Sequence, residues 1–263
     1  MSDQRDSVDN ELLELPGLER AEVTERLRAL GEPAYRGTQV FEWVHRHRVA
    51  SFEAMTNLPK ALRSRLEAVF RLEVLNLVRR QVDPVDGTRK YLFSLVRDGE
   101  TVETVLMRHR HGNSVCVSTQ VGCRMGCRFC ASTLGGRVRN LSAAEIVAQL
   151  LGVQRDLDDE GARVSHVVVM GMGEPLENYD ATLKFLRIAH DPHGLGIGWR
   201  HFTVSTCGLV PEIRRLADEQ VPVTLAISLH APNDFLRSRI MPVNLRYPIG
   251  SLIDACREYV AKT

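Results

Sequence analysis

The sequence has no apolar run approaching the roughly 20 residues that a membrane-spanning helix requires, which argues against an integral helical membrane protein. No secretory leader is read at its start, so its six cysteines are not expected to form the disulfide framework of a small secreted domain. Net charge is almost absent, at +1, and by itself nominates no partner. Lysine is scarce: only Lys60, Lys90, Lys184 and Lys262 stand among 34 basic residues. Arginine suits bidentate phosphate contacts, although a GC-rich coding sequence produces the same bias. Acidic residues are missing from Arg108 to Arg139, where six arginines and two histidines lie. Such a field would attract a polyanion; a solvated basic loop with no partner is the plainer reading. The setting expected is soluble, reducing and cytoplasmic. A chain of 263 residues, 44% hydrophobic, suffices for one large domain and a small one.

What is present is concentrated between Cys116 and Gly136, CVSTQVGCRMGCRFCASTLGG. Cys123, Cys127 and Cys130 stand there as C-x3-C-x2-C. Structural zinc usually takes four ligands in C-x2-C pairs, whereas three thiolates on one short loop suit an iron–sulfur cluster. A 4Fe–4S cubane has four irons, so three cysteines leave one iron open to chelate a small molecule. Three incidental core cysteines are the alternative. Gly122, Gly126 and the polar neighbours, however, keep this run from forming an apolar stripe. Cys116 reads by default as a buried strand residue, and Cys207 and Cys256 read as core residues.

Residues 1–10 are polar and acidic and read as disordered. From Glu11 to Phe70 the pattern is helical, broken at Pro16-Gly17, Gly31-Glu32-Pro33 and Leu58-Pro59. Phe41, Trp43 and Val44 among Arg36, His45, Arg46 and Arg48 suggest a small helical module, residues 1–71, with a basic face. From Leu72 the period shifts towards two. Val74–Val78, Lys90–Leu95 and Thr101–Val105 read as strands, with Asp86-Gly87 and Asp98-Gly99 as hairpin turns, giving a connector over 72–108. Residues 109–263 then alternate strand and helix four times. The strands are Val115–Thr119, Val164–Met170, His201–Ser205 and Val223–Ser228. Ser142-x-x-Glu145 is a capping box, Pro211 falls in the first turn of a helix, and Pro248 starts the last one. The fold class expected is α/β: a partial (β/α) barrel of four units with parallel pairing and right-handed crossovers.

Ligands of such barrels bind at the carboxyl ends of the strands. The first strand ends in the cysteine loop and the second in Gly171-Met172-Gly173-Glu174-Pro175. The third ends in Ser205-Thr206-Cys207-Gly208, and the fourth in Ser228-Leu229-His230-Ala231-Pro232-Asn233-Asp234. Taken singly, Gly173-Glu174 reads as a βα turn, Ser205 as a helix cap, His230 as a satisfied core histidine and Glu103 as an outward strand residue. The convergence of four strand ends favours a ligand site.

The cysteine loop, with Phe129 before its last cysteine, resembles that of the radical S-adenosylmethionine (SAM) superfamily. Within it, the run from Cys116 to Leu141, ending ASTLGGRVRNL, resembles the RlmN family of RNA methyltransferases, and the resemblance extends from about Leu12 to the last residue. It implies methylation of adenine carbon 2 in 23S rRNA and tRNA, with the helical module helping to hold folded RNA. It implies a 4Fe–4S cluster on Cys123, Cys127 and Cys130, and SAM held by Gly173, Glu174, Ser205, Ser228, Leu229 and His230. Glu103 then becomes a proton acceptor and Cys116 the residue that resolves a covalent protein–RNA intermediate. An electron donor such as flavodoxin or ferredoxin and a monomeric state are implied as well. Members of the family carry a methyl-bearing cysteine near the C-terminus, yet no cysteine follows Cys256, and an asparagine completing the SAM site would lie beyond Thr263. The chain is therefore expected to be C-terminally truncated after the fourth unit and inactive alone. The rival readings are a Cfr-type methyltransferase acting on adenine carbon 8, and a non-catalytic RNA-binding iron–sulfur module.

Overall fold

The computed structural model describes residues 12–263; the segment read as disordered, residues 1–10, lies outside the described residues, as does Glu11. β1 (Leu13–Glu14) is followed by α1 (Arg20–Ala29), α2 (Tyr35–His45), α3 (Lys60–Glu67) and β2 (Phe70–Arg71), which pairs in parallel with β1. α1 opens on a capping box in which the Glu19 amide donates to the Glu22 carboxylate at 2.7 Å. Val23 and Leu27 of α1, Val40, Phe41 and Val44 of α2, and Leu62 and Leu66 of α3 recur at helical spacing and are buried in the main core.

His45, at the end of α2, is an anomaly in that core. It is 1% exposed, its ring lies 4.2 Å from that of Phe41, and neither ring nitrogen has a hydrogen-bond partner among the described residues. Burial pulls its pKa from 6.5 down to about 3, against the opposing pull of Asp191. The folded protein therefore keeps this imidazole neutral, while the unfolded chain gains a proton below pH 6.5. Stability from this group is complete above pH 6.5 and is lost as pH falls towards 3. Between pH 7 and 5 the loss is expected to be about 2 kcal/mol. His45→Leu should remove that part of the acid limb, read as unfolding free energy against pH; equal slopes for the two proteins would refute the assignment.

β3 (Leu75–Val82), β4 (Arg89–Leu95) and β5 (Thr101–His109) form an antiparallel meander. Its turns fall at the two expected Asp-Gly pairs: Asp86 accepts from the Thr88 amide at 2.8 Å and Asp98 from the Glu100 amide at 3.1 Å. The chain continues through β6 (Gly112–Cys116), β7 (Gln120–Gly122), β8 (Arg137–Asn140), α4 (Ala143–Asp158), β9 (Val164–Val169) and α5 (Tyr179–His190). β10 (Phe202–Thr206), α6 (Val210–Asp218), β11 (Thr224–Ile227), α7 (Asp234–Ile240) and α8 (Ile249–Lys262) complete it.

Seven of these strands make one sheet in the order β11-β10-β9-β6-β5-β4-β3. Pairing is antiparallel from β3 to β6 and parallel from β6 through β9 and β10 to β11. The parallel half is the partial (β/α) barrel that the sequence pattern predicts, and the connector strands extend the same sheet. α4, α5 and α6 are the crossovers that parallel pairing requires. α4 begins where the capping box places it: the Ser142 hydroxyl accepts from the Glu145 amide at 3.2 Å, and the Ser142 amide donates to the Glu145 carboxylate at 2.8 Å. Val102 and Leu106 of β5, Val115 of β6, Val167 and Val169 of β9, and Phe202 and Val204 of β10 are buried in the core that these helices share.

Two local expectations are corrected. The first parallel strand ends at Cys116 rather than Thr119, because the chain bends into β7 there. Val117 still donates to the Val168 carbonyl at 3.0 Å, and Thr119 to that of Met172 at 2.9 Å. α7 is absent from the sequence pattern, since seven residues are too few to show a clear apolar period. Its signal is the N-cap: Asn233 accepts from the Leu236 amide at 3.0 Å. No helix among the described residues is long and apolar enough to cross a membrane.

Candidate active site

β7 and β8 pair antiparallel, Gln120 opposite Asn140, and carry the cysteine loop between them. Gly122 lies at φ +70°, and a Cβ there would sit 2.0 Å from the Gly136 carbonyl oxygen, so only glycine fits. The Cys123 amide donates to that same carbonyl at 3.0 Å. Further along, Cys130 donates to the Cys127 carbonyl at 3.0 Å, and the Thr133 hydroxyl donates to that of Cys130 at 2.9 Å. All three cysteines are free thiols, Cys123 and Cys127 buried and Cys130 half-buried. Burial raises the Cys123 thiol and, with Cys123, Cys130 and Glu174 adding, pushes Cys127 up to about 11. Their ionisation therefore calls for the positive charge of a bound metal. Among the described residues no three His, Cys, Asp or Glu side chains converge on a single ion. A cubane needs no such convergence, because each cysteine binds a different iron. Three thiols on one loop facing a cavity fit a 4Fe–4S cluster.

That cavity measures about 290 Å³, and apart from Met241 after α7 its walls beyond the cysteine loop are strand ends. Gly173 and Glu174 follow β9, Ser205 and Cys207 lie at the tip of β10, and Ser228 and His230 follow β11. A larger cavity of about 340 Å³, between β3, β4 and α4, contains none of these groups and is mostly apolar.

The sheet register explains which side chains meet. Val105 of β5 lies opposite Cys116 of β6, and Cys116 beside Val168 of β9. Val168 lies beside Thr203 of β10, and Ser205 beside Ala226 of β11. Strict alternation therefore puts Glu103, Cys116, Ser205 and Ser228 on one face, away from the crossover helices. Ser205 Oγ and Ser228 Oγ are 3.4 Å apart. Glu103 is half-exposed, and its carboxylate accepts from Lys90 Nζ at 2.7 Å. Cys116 is half-buried; burial raises its thiol, opposed by a hydrogen bond from the Met170 backbone. Neither Glu103 nor Cys116 lines the cavity, and Leu229 does not either, its carbonyl being held by Arg237 Nε at 3.1 Å.

Glu174 has a structural partner set that the motif alone does not reveal. It is 3% exposed, and its carboxylate accepts from the Cys207 amide at 2.8 Å and the Leu176 amide at 3.1 Å. Burial raises its pKa against the pull of those hydrogen bonds. The Cys207 thiol and the Thr206 hydroxyl also reach this carboxylate, so a ligand ammonium group would share its oxygens with them. His230 is no core histidine: it is exposed, adopts φ +55°, and packs its ring at a tilt against Phe129 of the cysteine loop, with ring centroids 4.6 Å apart and 56° between the planes. Cys207, read as a core residue, is buried but belongs to the cavity wall, packed with Cys127 and Met241.

The basic run is also corrected. Arg108 pairs with Glu160, Arg124 and Arg137 with Glu177, and Arg139 with Asp98 and Glu145. Four of its six arginines thus meet carboxylates folded in from other segments, which a count along the chain could not register.

Residues 13–72 match the family described as the ribosomal RNA large subunit methyltransferase N-terminal domain, and residues 117–261 match the radical SAM superfamily. A probable dual-specificity RNA methyltransferase RlmN of Geobacillus kaustophilus is 55% identical, aligned over 92% of this chain and 66% of its own length. Its namesake from Symbiobacterium thermophilum is also 55% identical, over 95% of this chain and 67% of its own length. The crystal structure of a radical SAM methyltransferase from Sphaerobacter thermophilus superposes with a TM-score of 0.91 at 50% identity, over 95% of this chain and 73% of that one. The chain thus spans about two thirds of the length of these curated relatives. On this evidence it belongs to the RlmN family within the radical SAM superfamily.

Proposed function

We propose that this chain carries the SAM-cleaving centre of an RNA methyltransferase that modifies carbon 2 of adenine in 23S rRNA and tRNA. The observation that carries the reading is the meeting of three cysteines with the Gly173-Glu174 turn, Ser205, Ser228 and His230 around one cavity. The relatives' name as dual-specificity RNA methyltransferases supports the substrate class. A bound 4Fe–4S cluster would supply the electron for reductive cleavage of SAM, chemistry that no side chain performs.

The chain's own residues bind and orient. Cys123, Cys127 and Cys130 hold the cluster as thiolates. Glu174 accepts hydrogen bonds from the ammonium group of SAM, the Ser205 and Ser228 hydroxyls bind its ribose and methionine parts, and His230 against Phe129 walls the cavity mouth. On the same sheet face, Glu103 is placed to take a proton from the adenine when Lys90 releases it, and Cys116 to resolve the bond that the family's methyl-bearing cysteine, which is not among these 263 residues, would form with the RNA. The helical module to residue 71 grips folded RNA, strands of 72–108 bring Glu103, and the barrel from 109 carries the chemistry. A flavodoxin or ferredoxin delivers the electron, and the enzyme acts as a cytoplasmic monomer.

The test is anaerobic reconstitution followed by iron and sulfide analysis, then 5′-deoxyadenosine formation from SAM under dithionite. Mass spectrometry of adenines from RNA treated with a version extended through the methyl-bearing cysteine separates carbon 2 from carbon 8. Uptake of zinc and never of iron sinks the reading.

A further inference from the structure

Among the described residues, Arg237 of α7 is the largest side chain that is completely buried, at 0% exposed. Its guanidinium donates to the carbonyls of Leu229 (3.1 Å), Cys207 (2.6 Å) and Ser228 (3.3 Å), and to the Asn244 side-chain oxygen (2.8 Å). None of these acceptors is charged. Among the described residues no carboxylate pairs directly with it; Asn244 relays to Asp234 at 2.9 Å. Arginine stays protonated in proteins, so a full positive charge is sealed in the wall of the candidate site. A buried charge without a direct counter-ion is costly and asks for a compensating group.

The sulfur side of the cavity is where that group would be. Cys207, whose carbonyl Arg237 holds, packs with Cys127 and Met241 in one buried cluster. Burial lowers the guanidinium pKa, and Cys207, Asp234 and Cys127 pull it back up, so Cys127 lies within its electrostatic reach.

We infer that Arg237 is the buried counter-charge of the iron–sulfur cluster and the positioning residue of the strand tips that face SAM, an inference resting on the cluster reading above. A cubane with three thiolates is net negative when oxidised and gains one more negative charge on one-electron reduction. A fixed positive charge in a low-dielectric wall stabilises the reduced form more than the oxidised form. The same fork satisfies three carbonyls at the ends of β10 and β11 and fixes the backbone from Ser228 to Leu229 against that of Cys207.

The midpoint potential of the reconstituted cluster, followed by EPR in a mediator titration, reads the charge directly. Arg237→Met is expected to hold the cluster with its midpoint about 59 mV more negative, a tenfold fall in the reduced-to-oxidised ratio at fixed potential. Arg237→Lys keeps the charge and should keep the wild-type midpoint while weakening SAM binding, because the carbonyl fork is lost. A loaded Arg237→Met with an unchanged midpoint overturns the proposal. If Arg237→Met takes up no iron, Arg237→Lys decides: loading at the wild-type midpoint supports the counter-charge, and a shifted midpoint or an empty site overturns it. Wild-type chain that takes up no iron and sulfide fails the cluster reading itself and the proposal with it.

Discussion

Serine in place of any one of Cys123, Cys127 or Cys130 is expected to reduce cluster-bound iron to background and abolish SAM cleavage. Serine at Cys116, Cys207 or Cys256 should leave the iron content of the reconstituted chain intact. The contrast follows from where the six sulfurs lie. Three share one loop whose entry is fixed by Gly122 and closed on the Gly136 carbonyl. Cys116 belongs to a strand and does not line the cavity, and Cys256 lies on α8, packed against the core. Cys207 is the informative control, because it touches Cys127 and yet sits on another strand tip, in contact with the Glu174 carboxylate. A cubane left with two thiolates has two irons open, and a serine hydroxyl is far more reluctant to ionise than a thiol. Iron and sulfide analysis of the six variants checks the pattern. Iron lost at Cys207 but retained at Cys130 would assign the ligands differently and move the open iron to the other side of the cavity.

What the sequence displayed was chiefly local. The cysteine spacing, the capping box at Ser142 and Glu145 and the two Asp-Gly turns are decided by neighbours within a few residues, and each stands where it was read. The four parallel strands were visible because their apolar runs are short, repeated and separated by amphipathic helices. Partners far along the chain were not. The carboxylates that neutralise the arginine run come from Asp98, Glu145, Glu160 and Glu177, and two of these lie beyond the run by 20 residues or more. The same limit hid Arg237, an arginine in a short polar helix whose complete burial depends on carbonyls from two strand tips. Cys207 had a signal, a thiol two residues beyond Ser205 on a strand end, but burial habits of cysteine favoured the core.

Glu174→Ala is expected to destabilise the cluster-free chain by roughly 3–5 kcal/mol, more than a residue serving only a ligand would. Its carboxylate is the acceptor for two buried amides, those of Cys207 and Leu176, and thereby ties the turn after β9 to the tip of β10. Alanine leaves both donors without a partner in a dry wall, at about 1–3 kcal/mol each, and opens a cavity as well. Glu174→Gln separates the two roles. The amide preserves volume and one oxygen acceptor, but its NH2 faces a backbone N–H, so a loss of about 1–3 kcal/mol is expected. It also removes the negative charge that faces the SAM ammonium group, and a charge-assisted hydrogen bond of about 1.5–3 kcal/mol corresponds to roughly 10- to 150-fold in affinity. Denaturant melts of the cluster-free protein read the first effect, and SAM titration of the reconstituted protein reads the second. Glu174→Ala within about 0.5 kcal/mol of wild type would make the carboxylate a ligand group alone. Unchanged SAM affinity in Glu174→Gln would make it a brace alone, and the ammonium would then have to be held by backbone carbonyls of the Gly171–Gly173 turn.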